Sequence, residues 1–205
     1  MKSYIYALII LTLSACNYYY DEEQDITTDT DQQHAIIEYS DGSKILYRKT
    51  SYGNDWIYIN LELNDSVAVS EEEHYNNTNW DIAFNRYNLR TNSGESGIGN
   101  GGALKTSETS FTNLYAIPSG YFTTDVVSTV TAPSNFMETI ESTKNLVLCE
   151  AITFAGPPPT YTISPNIFII RSADGNNYYK FQAISFFDQN GNSGFYRFYL
   201  EKIEK

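Results

Sequence analysis

The chain is poor in the residues that carry most metal and nucleophile chemistry. Its 205 residues include 2 Cys, 2 His, 2 Met and 2 Trp. The histidines, His34 and His74, fall in no nucleophile or metalloprotease motif. No carboxylate pair of the glycosidase kind announces itself either, although sequence spacing says little about separation in space. Basic residues are scarce: 13 Lys and Arg stand against 25 Asp and Glu, for a net charge of −12. Such a surface repels phosphates and no basic stripe offsets it, so nucleic acid is excluded as a partner. Past the first residues there is no apolar run long enough to span a bilayer as a helix.

What is present begins with an export signal. Lys2 supplies the positive end, Tyr4 to Leu11 the short apolar run, and Leu13-Ser14-Ala15-Cys16 ends it. Small residues before a cysteine resemble the bacterial lipobox, which implies cleavage before Cys16 and acylation of that residue. Several acyl chains, at roughly 0.8 kcal/mol per buried CH2, would hold the protein on a membrane. Residues 1–15 are then the signal peptide, and residues 16–33 an acidic tether with Asp21-Glu22-Glu23, Asp25, Asp29 and Asp31. Residues 34–205 remain for one domain with a sizeable core. With Cys16 lipidated, Cys149 has no disulfide partner and reads as a small buried apolar residue.

Beyond the tether the hydrophobic period is two. Ile57, Ile59, Leu61 and Leu63 alternate with Trp56, Tyr58, Asn60 and Glu62, which predicts a half-buried strand with one aliphatic face. Trp80-Asp81-Ile82-Ala83-Phe84, Tyr179 to Phe187 and Phe195 to Leu200 repeat the pattern. The 18 Tyr and 11 Phe suit strands as well. Asp41-Gly42, Asp174-Gly175 and Asn190-Gly191 mark hairpin turns, because such pairs accept the positive φ of type I′ turns. The fold class expected is all-β, with antiparallel sandwich-like sheets. One stretch differs. From Ser134 to Phe154 the apolar spacing suits one or two short helices, closed by Pro157-Pro158-Pro159.

Three motifs invite chemistry and are weak. Gly97-Ile98-Gly99-Asn100-Gly101-Gly102 matches a nucleotide fingerprint but follows an amphipathic strand outside any βαβ unit, so it reads as a flexible or ligand-shaping loop. Asp188 to Gly194 is loosely calcium-loop-like, yet Ser193 stands where glycine is needed, and a turn is the simpler reading. His74 after Glu71-Glu72-Glu73 could hold a metal ion or sit in a solvated loop.

Two segments together carry a family resemblance. Trp80-Asp81-Ile82-Ala83-Phe84-Asn85-Arg86-Tyr87, with Arg90-Thr91-Asn92 and the glycine-rich loop, is similar to the start of the HmuY-like haem-binding lipoproteins of Bacteroidetes. Pro158-Pro159-Thr160-Tyr161, Phe168 to Gly175 and Tyr179-Lys180-Phe181 are similar to their second half. The resemblance implies an all-β fold with a haem cleft between loops, two axial histidines or methionines, and delivery of haem to a TonB-dependent outer-membrane receptor. It also implies an outer-membrane lipoprotein. The acidic run after Cys16 resembles a surface-export signal, which would put the domain outside the cell.

Carried onto this chain, the resemblance makes Met137 the axial-ligand candidate, thioether sulfur being an ordinary haem-iron donor. The family's second ligand falls near Ala155-Gly156-Pro157, none of which has a donor side chain. Either His74, Tyr161 or Cys149 supplies a replacement, or haem is held from one side, or the fold persists without haem. The function expected is capture of haem or a similar flat apolar ligand. The alternatives are a ligand-free interaction module for a transporter or surface partner, and a polymer hydrolase. Among the three, a binding protein without catalysis is the reading that the residues favour.

Overall fold

A computed structural model describes residues 34–38, 42–48, 56–131, 138–188 and 190–204. Among these residues the strands are, in chain order, β1 (His34–Glu38), β2 (Ser43–Arg48), β3 (Ile57–Asn60), β4 (Asp65–Val67), β5 (Ile82–Asn85), β6 (Asn88–Thr91) and β7 (Gly102–Lys105). The second half holds β8 (Val126–Thr131), β9 (Thr139–Lys144), β10 (Ile152–Ala155), β11 (Thr160–Ile163), β12 (Phe168–Arg171), β13 (Tyr178–Phe187) and β14 (Ser193–Lys202). A six-stranded sheet runs β1-β2-β14-β13-β12-β7 and a four-stranded sheet β4-β3-β5-β6; β8–β9 and β10–β11 are separate hairpins. Every pairing is antiparallel. The expected all-β, sandwich-like class is what the chain adopts.

The core lies between the two larger sheets. Ile57, Ile59, Ile82, Phe84 and Leu89 from the four-stranded sheet meet Phe168, Ile170, Phe181 and Phe198 from the six-stranded one. The alternation expected for β3 and β5 is present, but the half-buried reading is not. Their other face carries Trp56, Tyr58, Trp80 and Ala83, and Val130 of β8 covers it. Strand β5 is therefore buried at all four positions. Leu63, expected to continue the buried face, falls in the turn after β3 and is 69% exposed.

The turns follow their sequences. Gly175 takes φ +78° between β12 and β13, and Gly191 takes φ +82° between β13 and β14. Gly42 takes φ +77° before β2, while Asp41 lies outside the described residues. Asp188 accepts from the main-chain amides of Asn190 (2.9 Å) and Asn192 (2.7 Å), so the calcium-like segment is a side-chain-closed turn.

Residues 134–137 lie outside the described residues, and among the described residues of 134–154 the helical expectation is met only at Leu148–Ala151, a 3-10 turn. Thr139–Lys144 is a strand, paired with β8 from Val126↔Lys144 to Thr131↔Thr139. Ile140 and Thr143 are β-branched and lose rotamer freedom in a helix, whereas a pleated pair accommodates them. The prolines close no helix. They stand between β10 and β11, at the tip of a hairpin. Among the described residues no helix is long and apolar enough to cross a membrane.

Candidate ligand-binding site

The buried polar groups show first what the signature residues do. Asp81, 7% exposed, accepts from Leu61 N (2.7 Å) and from Ala173 N (2.7 Å). Its carboxylate thus ties the Trp80-Asp81-Ile82-Ala83-Phe84 segment to the Arg171-Ser172-Ala173-Asp174-Gly175 turn. Burial holds the carboxyl above the usual range, and the two amide donors oppose that rise. Three consecutive residues at the end of β6 then serve three different segments. Arg90 donates to Thr143 O (2.9 Å), Ser142 Oγ (2.9 Å) and Tyr58 Oη (3.1 Å), pairs with Glu71 (2.9 Å) and lies 3.9 Å over the Trp56 ring. Thr91 donates to Asp125. Asn92 donates to Asn77 O (2.8 Å) and Trp80 O (2.9 Å) and accepts from Gly99 N (3.1 Å).

The glycine-rich loop is explained by Asn92. A Cβ on Gly97, Gly99 or Gly101 would meet Asn92 atoms at 2.2, 2.6 and 2.7 Å respectively. The glycines allow close wrapping around a buried side chain. The loop's amides are spent inside the protein, those of Gly99 and Gly101 on Asn92, that of Ile98 on Tyr75 O and that of Asn100 on Ala173 O, which leaves it no resemblance to a phosphate cradle.

A continuous cluster of partly exposed rings lies elsewhere, on the β10–β11 hairpin and its neighbours. Phe154 and Tyr161 are directly opposed across that hairpin, their rings 5.4 Å apart. Tyr87, from the turn between β5 and β6, stacks on Phe154 at 5.3 Å and 14°. Phe186 and Phe187, at the end of β13, approach Tyr161 at 4.6 and 5.6 Å. Phe186 is buried and touches Tyr196 (6.1 Å), which links this group to the aromatic core. Phe154 and Phe187 are 42% and 40% exposed, whereas Phe84, Phe168, Phe181 and Phe198 are buried. Tyr87 also reaches the other hairpin: its hydroxyl is hydrogen-bonded to Thr131 Oγ1 at 3.0 Å. The rings thus form a surface where β10–β11 and β8–β9 meet through one tyrosine.

Of the ligand candidates among the described residues, only Tyr161 belongs to this surface. Ala155, Gly156 and Pro157 stand exposed at the hairpin tip and offer no side-chain donor. His74 lies in the 3-10 turn His74–Asn76, donating from Nδ1 to Glu71 O (2.6 Å) and stacking on Tyr58 (5.9 Å). Its ring packs in the Tyr58–Trp80 group, apart from the exposed rings. Cys149 Sγ accepts from Leu89 N (3.2 Å) and donates to Leu89 O (3.5 Å), and burial pushes the thiol up to about 12. It is a protonated group satisfied by main chain. Met137 and Cys16 lie outside the described residues.

Two further readings fall away on geometry. Glu71, beside His74, is paired with Arg90, and among the described residues no three His, Cys, Asp or Glu side chains could hold a metal ion. A depression of about 260 Å³ beside Glu62, Asn64, Tyr179 and Lys202 is below the roughly 300–1,000 Å³ of small-molecule sites, and Lys202 (2.6 Å) and Tyr179 (2.8 Å) already bond Glu62 there.

Sequence reasoning passed over Tyr87, Phe154, Phe186 and Phe187. The one signal was Phe186-Phe187, two large rings in succession where a strand with one wet face should alternate. No curated protein matches the chain. Among solved structures it is similar to an HmuY-like protein of Bacteroides vulgatus named for haem binding. That pair shares 28% identity over 80% of this chain and 94% of the other, at a TM-score of 0.61. A protein of Bacteroides fragilis named as a lipoprotein is similar at 23% identity, over 87% and 100% of the two chains, with TM-score 0.64. The apo HmuY analogue of Tannerella forsythia is similar at 20% identity, over 84% and 91%, with TM-score 0.53. The HmuY protein family itself matches residues 52–199, which include both signature segments, every ring of the exposed surface and the polar groups beneath it, and the chain belongs to that family.

Proposed function

We propose that this protein captures haem, or a ligand equally flat and apolar, on the ring surface of Tyr87, Phe154, Tyr161 and Phe187. The observation that carries the reading is that Phe154 and Phe187, each about two-fifths exposed, stand with Tyr87 and Tyr161 in one continuous cluster of rings. Flat faces of this kind suit a porphyrin plane. Membership of a family with haem-binding relatives supports it.

Bound haem would bring iron chemistry that this chain lacks. The candidates for the iron are Met137, which directly precedes Glu138 at the start of the β9 arm, and the Tyr161 phenol among the rings. The absence of donors at Ala155-Gly156-Pro157 favours iron held from one side. Cleavage after residue 15, a lipid anchor on Cys16 and a tether to residue 33 would place the domain on the outer membrane, facing outward. There it would pass haem to a TonB-dependent receptor. This is a binding role, without a catalytic step.

The test is a haem titration of the purified protein, with absorbance read in the oxidised and reduced states. A saturable Soret shift that is weakened in Phe154→Ala and altered in Met137→Ala supports the reading. No shift in either redox state overturns it and leaves the interaction-module reading, to be pursued by co-purification with an outer-membrane partner.

A further inference from the structure

Both hairpins that flank the ring surface spring from one buried polar node. Asp125 immediately precedes β8, and Asn145 immediately follows β9. The Asp125 carboxylate accepts from Thr91 N (2.9 Å), Thr91 Oγ1 (2.5 Å) and Asn145 Nδ2 (3.0 Å). Asn145 Nδ2 also donates to Thr123 O (2.7 Å), and its Oδ1 accepts from Leu148 N (2.9 Å). Leu148 opens the 3-10 turn that leads straight into β10. One carboxylate and one amide, 2% and 0% exposed, therefore join the two ends of β8–β9, the end of β6 and the root of β10–β11.

We propose that Asp125 and Asn145 are positioning residues of the ligand site, setting the spacing of the two hairpins without touching the ligand. This rests on the reading that the ligand lies on the ring surface. Because Asp125 is titratable, the spacing responds to pH.

The direction follows from the groups around the carboxyl. Burial pushes Asp125 up to about 6, opposed by hydrogen bonds from Thr91, Ser96 and Asn145. Among the described residues no cation completes the node. Arg90, next along β6, is committed to Glu71, and Lys144, at the end of β9, to Asn88 Oδ1 (3.3 Å) and Thr129 O (2.8 Å). Glu95, whose amide donates to Asp125 O (3.1 Å), is exposed, and the Cys149 thiol on the 3-10 turn is neutral. When protonated, Asp125 can donate to Thr91 Oγ1, which in turn can donate to Ser93 Oγ at 2.8 Å. Burial, which disfavours the charged carboxylate, makes the closed node hold its proton more tightly than an opened, hydrated one. Acid closes the node, and a rise in pH through about 6 loosens it. An ordinary value of 3.8 in the opened state caps the swing at roughly a hundredfold.

The experiment is amide hydrogen exchange of the purified protein at pH 5.0 and 7.5, with the 126–144 and 152–163 segments referenced to β13 in the same molecule. Expected is up to about tenfold greater relative protection of both hairpins at pH 5.0, the most that values of about 6 and 3.8 allow at that pH, and no such difference in Asp125→Asn, which is neutral at both. Should that variant fail to fold, Thr91→Val removes one hydroxyl donor and must move the midpoint of the wild-type transition upward. A fixed support would leave the midpoint where it is. Haem affinity measured alongside must follow the same midpoint. Equal relative protection at both pH values, an unmoved midpoint, or an affinity blind to the transition overturns the proposal while haem capture stands. Absence of haem binding at every pH removes the ligand reading instead, and with it the positioning role, even if the hairpins titrate.

Discussion

Replacing Asp81 with alanine should cost more stability than any exposed change in the domain, and the figure can be worked from two bonds. Asp81→Ala strips the acceptor from the amides of Leu61 and Ala173, both on residues less than 5% exposed. A buried donor left without a partner costs about 1–3 kcal/mol, so the pair costs about 2–6 kcal/mol. Removing a carboxylate that burial already disfavours returns part of this, leaving a net loss of about 2–4 kcal/mol. Asp81→Asn keeps one oxygen, able to serve one amide, and should lose about half as much. In urea, with a slope of about 2 kcal/mol per molar, the midpoint should fall by about 1–2 M for alanine and about half that for asparagine. A fall below about 0.3 M for alanine, with the slope unchanged, would refute the argument that this carboxylate joins the two signature segments.

Other expectations follow from the same geometry. Gly97→Ala puts a methyl 2.2 Å from the buried Asn92 Oδ1 and should destabilise by about 2 kcal/mol or more in urea unfolding, whereas Gly191→Ala, with open space but φ +82°, should cost only about 1 kcal/mol. Cys149, pushed up to about 12 and bonded to Leu89, should resist alkylation by iodoacetamide at pH 8 in the native protein and react at once in urea; fast native labelling would contradict its place in the fold. Phe154→Ala should shift the thermal midpoint little, since the ring is 42% exposed, yet weaken haem binding about tenfold by Soret titration; an unchanged affinity would move the ligand off these rings.

The sheets were legible because period two and Asx-Gly turns are local signals, and β12, β13 and their turn at Gly175 stand where they point. What covers a sheet is not local. The second buried face of β3 and β5 depends on β8–β9 folding back, with Val130 standing 47 residues beyond Ala83 and 74 beyond Trp56, and nothing near either residue announces it. The 134–154 stretch misled for a related reason: spacings of three and four arise by chance over a few residues, and pairing with β8 outweighs them. At the candidate site, Tyr161 stood out through its proline-flanked motif. Tyr87, Phe154 and Phe187 come from three separate elements, so only the folded chain gathers them. Asp125 and Asn145 are ordinary residues in sequence, and their importance lies in what the chain places around them.

The division of labour along β6 bears on how such a protein can change over time. Arg90, Thr91 and Asn92 spend their polar atoms on interior segments, while residues 153–160 at the hairpin tip are exposed throughout. Substitutions at exposed positions usually alter stability by no more than about 0.5 kcal/mol. Selection can therefore rewrite the exposed tip residue by residue while the interior stays untouched. Relatives that share the scaffold need not share a cargo, and the signature by which they are recognised reports ancestry of the frame rather than the identity of what it carries.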